Sequence, residues 1–484
     1  MTDGYFVTEQ ITDETTGQTT DITKLNDKFG KQIITPMVST TQDHTLVLKS
    51  DGTVWSYGKN QYGQLGNGTT SYSDRPVQVM FPVSAGPIVS VAAGEQFSVA
   101  VDLNGRVYTW GINTNGQLGL GVADNGAYTT PSLVPGIYGI TKVEAGENHV
   151  IALSKNGYAY VWGKNTSGSL GIAGSATVPQ QISTIADVID VEAGEDHSLI
   201  LTANGTVYAT GRNAFGQLGV SVDKTNRNAF EIVPINATIQ YIAAGKAMSM
   251  AVDTEGKVWV WGKNLAGQLG LNIESEYIST PTKISTIGGN ANYKAVNVSA
   301  GTNSTEVLMS SGELYVAGAN NLGQLGNNRA TENSRVFIKV NTLGSDVLNA
   351  DVGNDYSAVI TKNGSVWGFG DYNQGALSYK SRTNSDIPVM IYDDVSSIEQ
   401  PEITVRVGET KKLDVNGKNK FNALHKDTAT FTYSDINSDI ATIDVDGIIT
   451  GVKVGTTWVK ATDDEGKESI AQVKVIEPDA TVAA

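Results

Sequence analysis

Three of the chain's four histidines recur at one spacing. His44, His149 and His197 occupy the same position of a repeating segment, and other copies carry Phe97, Met248, Ser304 and Tyr356 there. Imidazole is well suited to general-base or metal-ligand work near neutral pH, yet a position shared by Phe, Met, Ser and Tyr is one that fills space. A packing role is therefore expected. Glu95, Glu147 and Glu195 follow the same repeated glycine in three copies; they can line one face of the molecule or bond within turns, and no isolated carboxylate pair suggests glycoside hydrolysis. Asp444-Val445-Asp446-Gly447 and Asp463-Asp464-Glu465-Gly466 resemble the opening of a calcium loop without its terminal glutamate, and are expected to be solvated turns. The absence of cysteine removes disulfides, thiolate zinc sites and a cysteine nucleophile together. The expectation is a protein with no catalytic residue, no cofactor and no metal.

The elements that hold these residues follow from a repeat. Asp51-Gly52-Thr53-Val54-Trp55-Ser56-Tyr57-Gly58 returns as Asn104-Gly105-Arg106-Val107-Tyr108-Thr109-Trp110-Gly111 and then five more times. The closing glycines are Gly58, Gly111, Gly163, Gly211, Gly262, Gly318 and Gly370, separated by 53, 52, 48, 51, 56 and 52 residues. Within a copy the spacing is rigid up to Leu65, Leu118, Leu170, Leu218, Leu269, Leu325 and Leu377, so the fixed part is a packed hairpin and the variable part is loop. Runs such as Ser98-Val99-Ala100-Val101 and Val107-Tyr108-Thr109-Trp110 have the β-branched and aromatic content of strands. Asn104-Gly105 and Asn204-Gly205 between them are hairpin turns. Pro76-Val77-Gln78-Val79 and Ile88-Val89-Ser90-Val91 supply two more strands. Four short strands repeated seven times predict a seven-bladed β-propeller. The strand near Ile33 to Val38 is expected to pair beside strands of the last copy and close the ring, with Pro388-Val389-Met390-Ile391 as the final strand.

The second turn, Gly58-Lys59-Asn60-Gln61-Tyr62-Gly63-Gln64-Leu65-Gly66, recurs with Gln117-Leu118-Gly119, Gln217-Leu218-Gly219, Gln268-Leu269-Gly270 and Gln324-Leu325-Gly326. This resembles the regulator of chromosome condensation repeat family over residues 32 to 394. Departures are Ser169 and Ala376 for the glutamine, Ser378 for the last glycine, and Glu306 at a normally apolar strand position. One place in this turn varies: Tyr62, Asn115, Ser167, Phe215, Ala266, Leu322 and Gln374. Variation at a fixed place on a fixed scaffold suits a recognition surface. Tyr62, Asn115, Phe215 and Leu322, with Tyr372 in the divergent last turn, are the candidate contacts; the alternative is that they are exposed turn residues without a partner.

After Val395 the pattern changes. Ile403-Thr404-Val405-Arg406-Val407-Gly408, Ile440-Ala441-Thr442-Ile443, Gly447-Ile448-Ile449-Thr450-Gly451 and Ala471-Gln472-Val473-Lys474-Val475 resemble a group 2 bacterial immunoglobulin-like domain over residues 395–477. An all-β chain with a β-sandwich after the propeller is implied. Residues 1–31 form a polar arm, an anchor or disordered segment, and 478–484 a tail.

A net charge of −16 without a basic cluster argues against nucleic acid. No run of about 18 apolar residues offers a membrane span, and no signal peptide is recognised in the first thirty residues. Nucleotide exchange, for which the eukaryotic family is named, would call for an inserted loop and often a basic tail; this acidic chain has neither. The resemblance to immunoglobulin-like domains of adhesins and phage tail or capsid proteins implies a non-enzymatic display and recognition protein. The expected setting is a phage virion or cell exterior, with virion proteins holding the N-terminal arm and a protein or surface glycan as ligand. A bacterial cell-surface adhesin and a protein inhibitor of a secreted enzyme are the alternatives.

Overall fold

The computed structural model describes residues 5–12, 19–26, 34–41, 44–329, 332–372, 384–392, 397–398, 402–413, 415–416, 431–434, 436–463 and 468–477. Its propeller consists of seven four-stranded antiparallel sheets, each built from one contiguous stretch of chain. The second blade is typical. Ile88–Ala93 is innermost, followed outward by Phe97–Asp102, Val107–Asn113 and Asp124–Leu133.

Burial falls from the second strand outward. Phe97–Asp102, His149–Ser154, His197–Thr202 and Met248–Asp253 are buried at every position, whereas the outermost Arg227–Ile232 is at most half-buried. A second strand touches neighbouring blades on both faces, which explains its nearly unbroken apolar run. The core accordingly lies between blades: Phe97, Val99 and Val101 of the second blade pack with Val143, Val150 and Ile151 of the third.

The hairpin turn between the second and third strands needs glycine. Gly105 has φ +74°, and a Cβ there would stand 2.6 Å from the Gly139 backbone. Asp102 fixes the same turn by accepting the Asn104 and Arg106 amides through Oδ1, at 3.0 and 2.9 Å.

Ring closure departs from the expected strand sharing. Met37–Thr40 pairs with His44–Leu48 of its own blade, and Ser385–Tyr392 is the outermost strand of the seventh. Because every blade already has four strands from its own segment, the seam is closed by side chains. The Val38 amide donates to Asn349 Oδ1 at 3.0 Å, and the Thr40 amide donates to Asp351 Oδ2 at 2.7 Å. Thr45 Oγ1 meets the Tyr356 hydroxyl at 2.8 Å, and that hydroxyl lies 3.2 Å from the His44 carbonyl.

Tyr5–Thr12 and Thr19–Asn26 form an antiparallel hairpin within the arm, paired from Tyr5 with Asn26 to Thr12 with Thr19. Its Tyr, Phe, Val, Ile and Thr content favours strand, structure that composition alone did not suggest. The chain divides into two compact units, residues 1–362 with 366–391 and residues 363–365 with 392–484. In the second, Glu402–Arg406, Glu468–Ile476, Gly455–Asp463 and Phe431–Ser434 form one sheet in that order, and Thr410–Lys412, Ile448–Gly451 and Ala441–Ile443 another. Ile403, Val405, Leu413, Ala441, Ile449, Val459, Val473 and Val475 make its core. Asp444 Oδ1 accepts the Asp446 and Ile448 amides at 3.0 and 2.8 Å, so that carboxylate ties a turn.

Candidate functional site

The repeated turn spends its recurring side chains on itself. Asn113 Oδ1 accepts the Leu118 amide at 3.2 Å while its Nδ2 donates to the Val122 carbonyl at 3.0 Å. Gln117 Oε1 accepts the Asn115 amide at 2.8 Å. The same glutamine contact recurs at Tyr62, Phe215, Ala266 and Leu322. The glutamine carbonyls join blades: Gln64 O accepts Ser98 Oγ at 2.9 Å and Trp110 Nε1 at 2.8 Å from the next blade.

The three histidines lie within the same joints. His44, His149 and His197 Nε2 stand 2.7, 3.0 and 2.9 Å from the hydroxyls of Ser98, Ser198 and Ser249. Each serine gives its one proton to a backbone carbonyl of the preceding blade, so each imidazole donates from Nε2 and is neutral. Burial drives their pKa values down, to about 3, 4 and 3. A glycine three residues earlier makes room: a Cβ on Gly146 or Gly194 would stand 2.3 or 2.2 Å from the ring of His149 or His197. These groups are walled in and far from reacting anything.

Strands in a blade alternate in direction, so the first loop and the second turn emerge on one face, here termed upper. Asn115 Nδ2 donates across this face to Asn148 Oδ1 at 3.1 Å. At its centre the first loops surround a cavity of about 150 Å3 lined by Glu95, Glu147, Glu195, Lys246, Thr302 and Asn354. Glycines permit the narrow ring: a Cβ on Gly353 would approach the Thr41 carbonyl to 2.5 Å. Carboxylate oxygens of Glu147, Glu195 and Asp196 lie within 4.8 Å of one another. Lys246 sits 3.1 Å from Glu195 and Arg212 3.4 Å from Asp196, so two of the three acids already face cations. Partial burial lifts the Glu195 pKa, while Lys246 pulls it back.

Beneath the mouth the channel widens to about 490 Å3. Lys142 Nζ there meets Asp190 at 2.6 Å, Glu192 at 2.7 Å and Glu144 at 3.2 Å. Burial works against the ammonium, but the three carboxylates outweigh it and hold Lys142 well above its ordinary range. Burial pushes Glu144 up to about 7 despite Lys142, and raises Glu192 as well. This is a charged lining with one lysine among several acids, able to hold a cationic group.

The sequence candidates are dispersed. Tyr62, Asn115, Phe215, Leu322 and Tyr372 are each half-buried, one to a blade, in the first, second, fourth, sixth and seventh. The structure does not gather them into one patch. Gly63 shows why they are not freely exposed: its Cβ would lie 2.7 Å from Thr129 on the next blade's outermost strand, so the turn leans on its neighbour. Gln374 lies outside the described residues. The position before the variable one is the more exposed in the first, second, third, fifth and sixth copies, with Leu265 at 59%. Lys246, Thr302 and Asn354 were missed; they follow the same glycine as Glu95, and extending that register to all copies would have found them.

The RCC1-like domain model matches residues 88–413, the regulator of chromosome condensation (RCC1) repeat matches residues 51–101, and the group 2 bacterial Ig-like domain matches residues 395–474. The ultraviolet-B receptor UVR8 of Arabidopsis thaliana is 28% identical over 397 residues, 81% of this chain and 77% of UVR8. The E3 ubiquitin-protein ligase HERC2 of Homo sapiens is 28% identical over 353 residues, 71% of this chain but 6% of HERC2. Prp20p of Saccharomyces cerevisiae, whose crystal structure was described with its binding to Gsp1p and histones, has a TM-score of 0.63 at 22% identity, covering 74% of this chain and 88% of that one. At that identity the likeness concerns the fold.

Proposed function

The chain belongs to the RCC1-like domain family, and on that premise we propose that it is a non-enzymatic recognition protein, displayed on a phage particle, whose propeller takes a protein partner at its upper face. The carrying observation is the division of labour within each repeat. The recurring Asn, Gln, Ser, Trp and His side chains are consumed in turns and blade joints, which leaves the non-repeating side chains around the charged mouth to differ from blade to blade. A rigid ring with a changeable rim is suited to binding, because little ordering entropy is lost when the partner arrives. The acids of the mouth, Glu95, Glu147 and Glu195, favour a partner that presents a basic side chain.

Display fits the appended Ig-like unit, since such sandwiches serve as stalks or binding modules, and the N-terminal arm of residues 1–31 is the segment assigned to docking on the particle. Mass spectrometry of fractionated cells and purified particles tests the setting. The reading requires the chain in particles, and requires a variant lacking residues 1–31 to be folded and absent from them. Recovery only from cytoplasm or cell wall would replace it with an intracellular or bacterial-surface binder. For the face, Tyr62→Ala with Phe215→Ala should lower stability by about 1 kcal/mol, as half-buried turn positions do, and weaken a captured partner roughly tenfold or more if these are anchors. Full-strength binding by the double variant would move the contact elsewhere.

A further inference from the structure

The second strand of the sixth blade, Ser304–Met309, breaks a rule that the other six keep. Where they place Leu46, Val99, Ile151, Leu199, Met250 and Ala358, it places Glu306. The residue is 2% exposed, and neither carboxylate oxygen has a hydrogen-bond partner. Its own sheet sets Ser299 and Val316 opposite it in register. From the seventh blade the groups that face it are Asp351 and the Ser357 hydroxyl, the latter near enough to favour the ionised carboxylate yet outside hydrogen-bonding geometry. Among the described residues no cation pairs with Glu306.

Asp351 is a junction of three blades. Its carboxylate accepts Ser299 Oγ of the sixth blade at 2.6 Å, and the Thr40 amide and Oγ1 of the first at 2.7 and 3.1 Å. Ser299 Oγ in turn accepts the Val352 amide at 3.1 Å. The seam that lacks a shared strand therefore runs through one acid, and a second acid is buried beside it. Burial pushes Glu306 up to about 8 and raises Asp351 too, with the Ser299 and Thr40 donors pulling Asp351 back toward its ionised form. An anion with these donors beside a neutral acid is the arrangement the two environments favour.

We propose that Glu306 is a proton-occupied gate on ring closure: while it holds its proton the sixth, seventh and first blades stay joined through Asp351, and loss of that proton sets a second anion against Asp351 and loosens the seam. The direction follows from linkage. An acid raised on folding weakens the folded state as pH climbs from its ordinary value of 4.5 through its folded value near 8, and the effect is complete above that.

Hydrogen exchange read by mass spectrometry on the full chain, at pH 6.5 and pH 9 after correction for intrinsic rate, tests this. In the parent protein, peptides over Ser304–Met309, Val347–Val352 and Met37–Thr40 should gain roughly threefold or more in exchange at pH 9, whereas Phe97–Asp102 of the second blade should change far less. Glu306→Gln, nearly isosteric and neutral throughout, should abolish the gain. Glu306→Leu, which restores the apolar side chain of the first blade's Leu46, should do the same; if it does not fold, the Gln variant decides alone. Equal gains in the seam and in Phe97–Asp102 of the second blade of the parent, or an undiminished gain in Glu306→Gln, would overturn the proposal.

Discussion

Burial lowers the His44, His149 and His197 pKa values to about 3, 4 and 3, and the sign of the consequence is opposite to that of the buried acids. The unfolded chain takes up protons near pH 6.5 that the folded chain refuses, so stability contributed by these sites is full above that pH and is lost on acidification toward the folded values. Each site loses about 2 kcal/mol between pH 6.5 and pH 5, at about 1.4 kcal/mol per pH unit. His197→Met, which copies Met248, should therefore show a shallower fall in urea midpoint between pH 7 and pH 5 than the parent; an unchanged slope would mean that His197 is not a buried neutral ring. The packing role of these positions was legible because Phe, Met and Tyr share them. Their partners Ser98, Ser198 and Ser249 were not, since they lie 54, 49 and 52 residues away across a blade boundary. For the same reason Tyr62 and Phe215 could be picked as variable but not as half-buried: the strand that shields them comes from the next repeat.

At the scale of a single turn or strand, local spacing carries nearly all the information. Gly-Gln-Leu-Gly after an asparagine prescribes a turn whose amides are answered from within, and Asn113 serves both ends of it. Asn113→Ala leaves a buried amide unanswered and should cost about 1–3 kcal/mol by chemical denaturation; a loss below the error of the measurement would show that the Leu118 amide finds another acceptor. Gly146→Ala tests the close approach of strands at the mouth. The new methyl would stand 2.4 Å from the Gly194 carbonyl as well as on the His149 ring, and overpacking of this kind costs about 1–3 kcal/mol. A variant as stable as the parent would mean that the first loops yield easily. The four-strand pattern of each blade was legible because β-branched runs and glycine turns alternate at fixed distances. The hairpin of Tyr5–Thr12 with Thr19–Asn26 was not, because threonine-rich polar sequence suits strand and extended arm alike.

Across the whole molecule the number of blades was legible from seven copies of one motif, whereas the manner of closure was not, because local spacing says nothing about which strands meet when the ends of a ring arrive together. Closure by Asn349, Asp351 and Tyr356 rather than by a shared ladder predicts that the starting point of the ring is arbitrary. A propeller of residues 34–391, with those two ends joined by a flexible linker and new termini opened at the fully exposed Val83, should fold and melt within a few degrees of the unpermuted one. Failure to fold would show that the order of blade formation matters. The same feature bears on how such a chain changes over generations. Because every blade is encoded by one uninterrupted segment, duplication or loss of about fifty codons adds or removes a finished unit and leaves no strand widowed, as it would in a ring whose first and last segments share a blade. What such an event must satisfy is only the angle between neighbours, so the lineage is free to shuffle, replace or diversify single units while the rest of the circle stays in register.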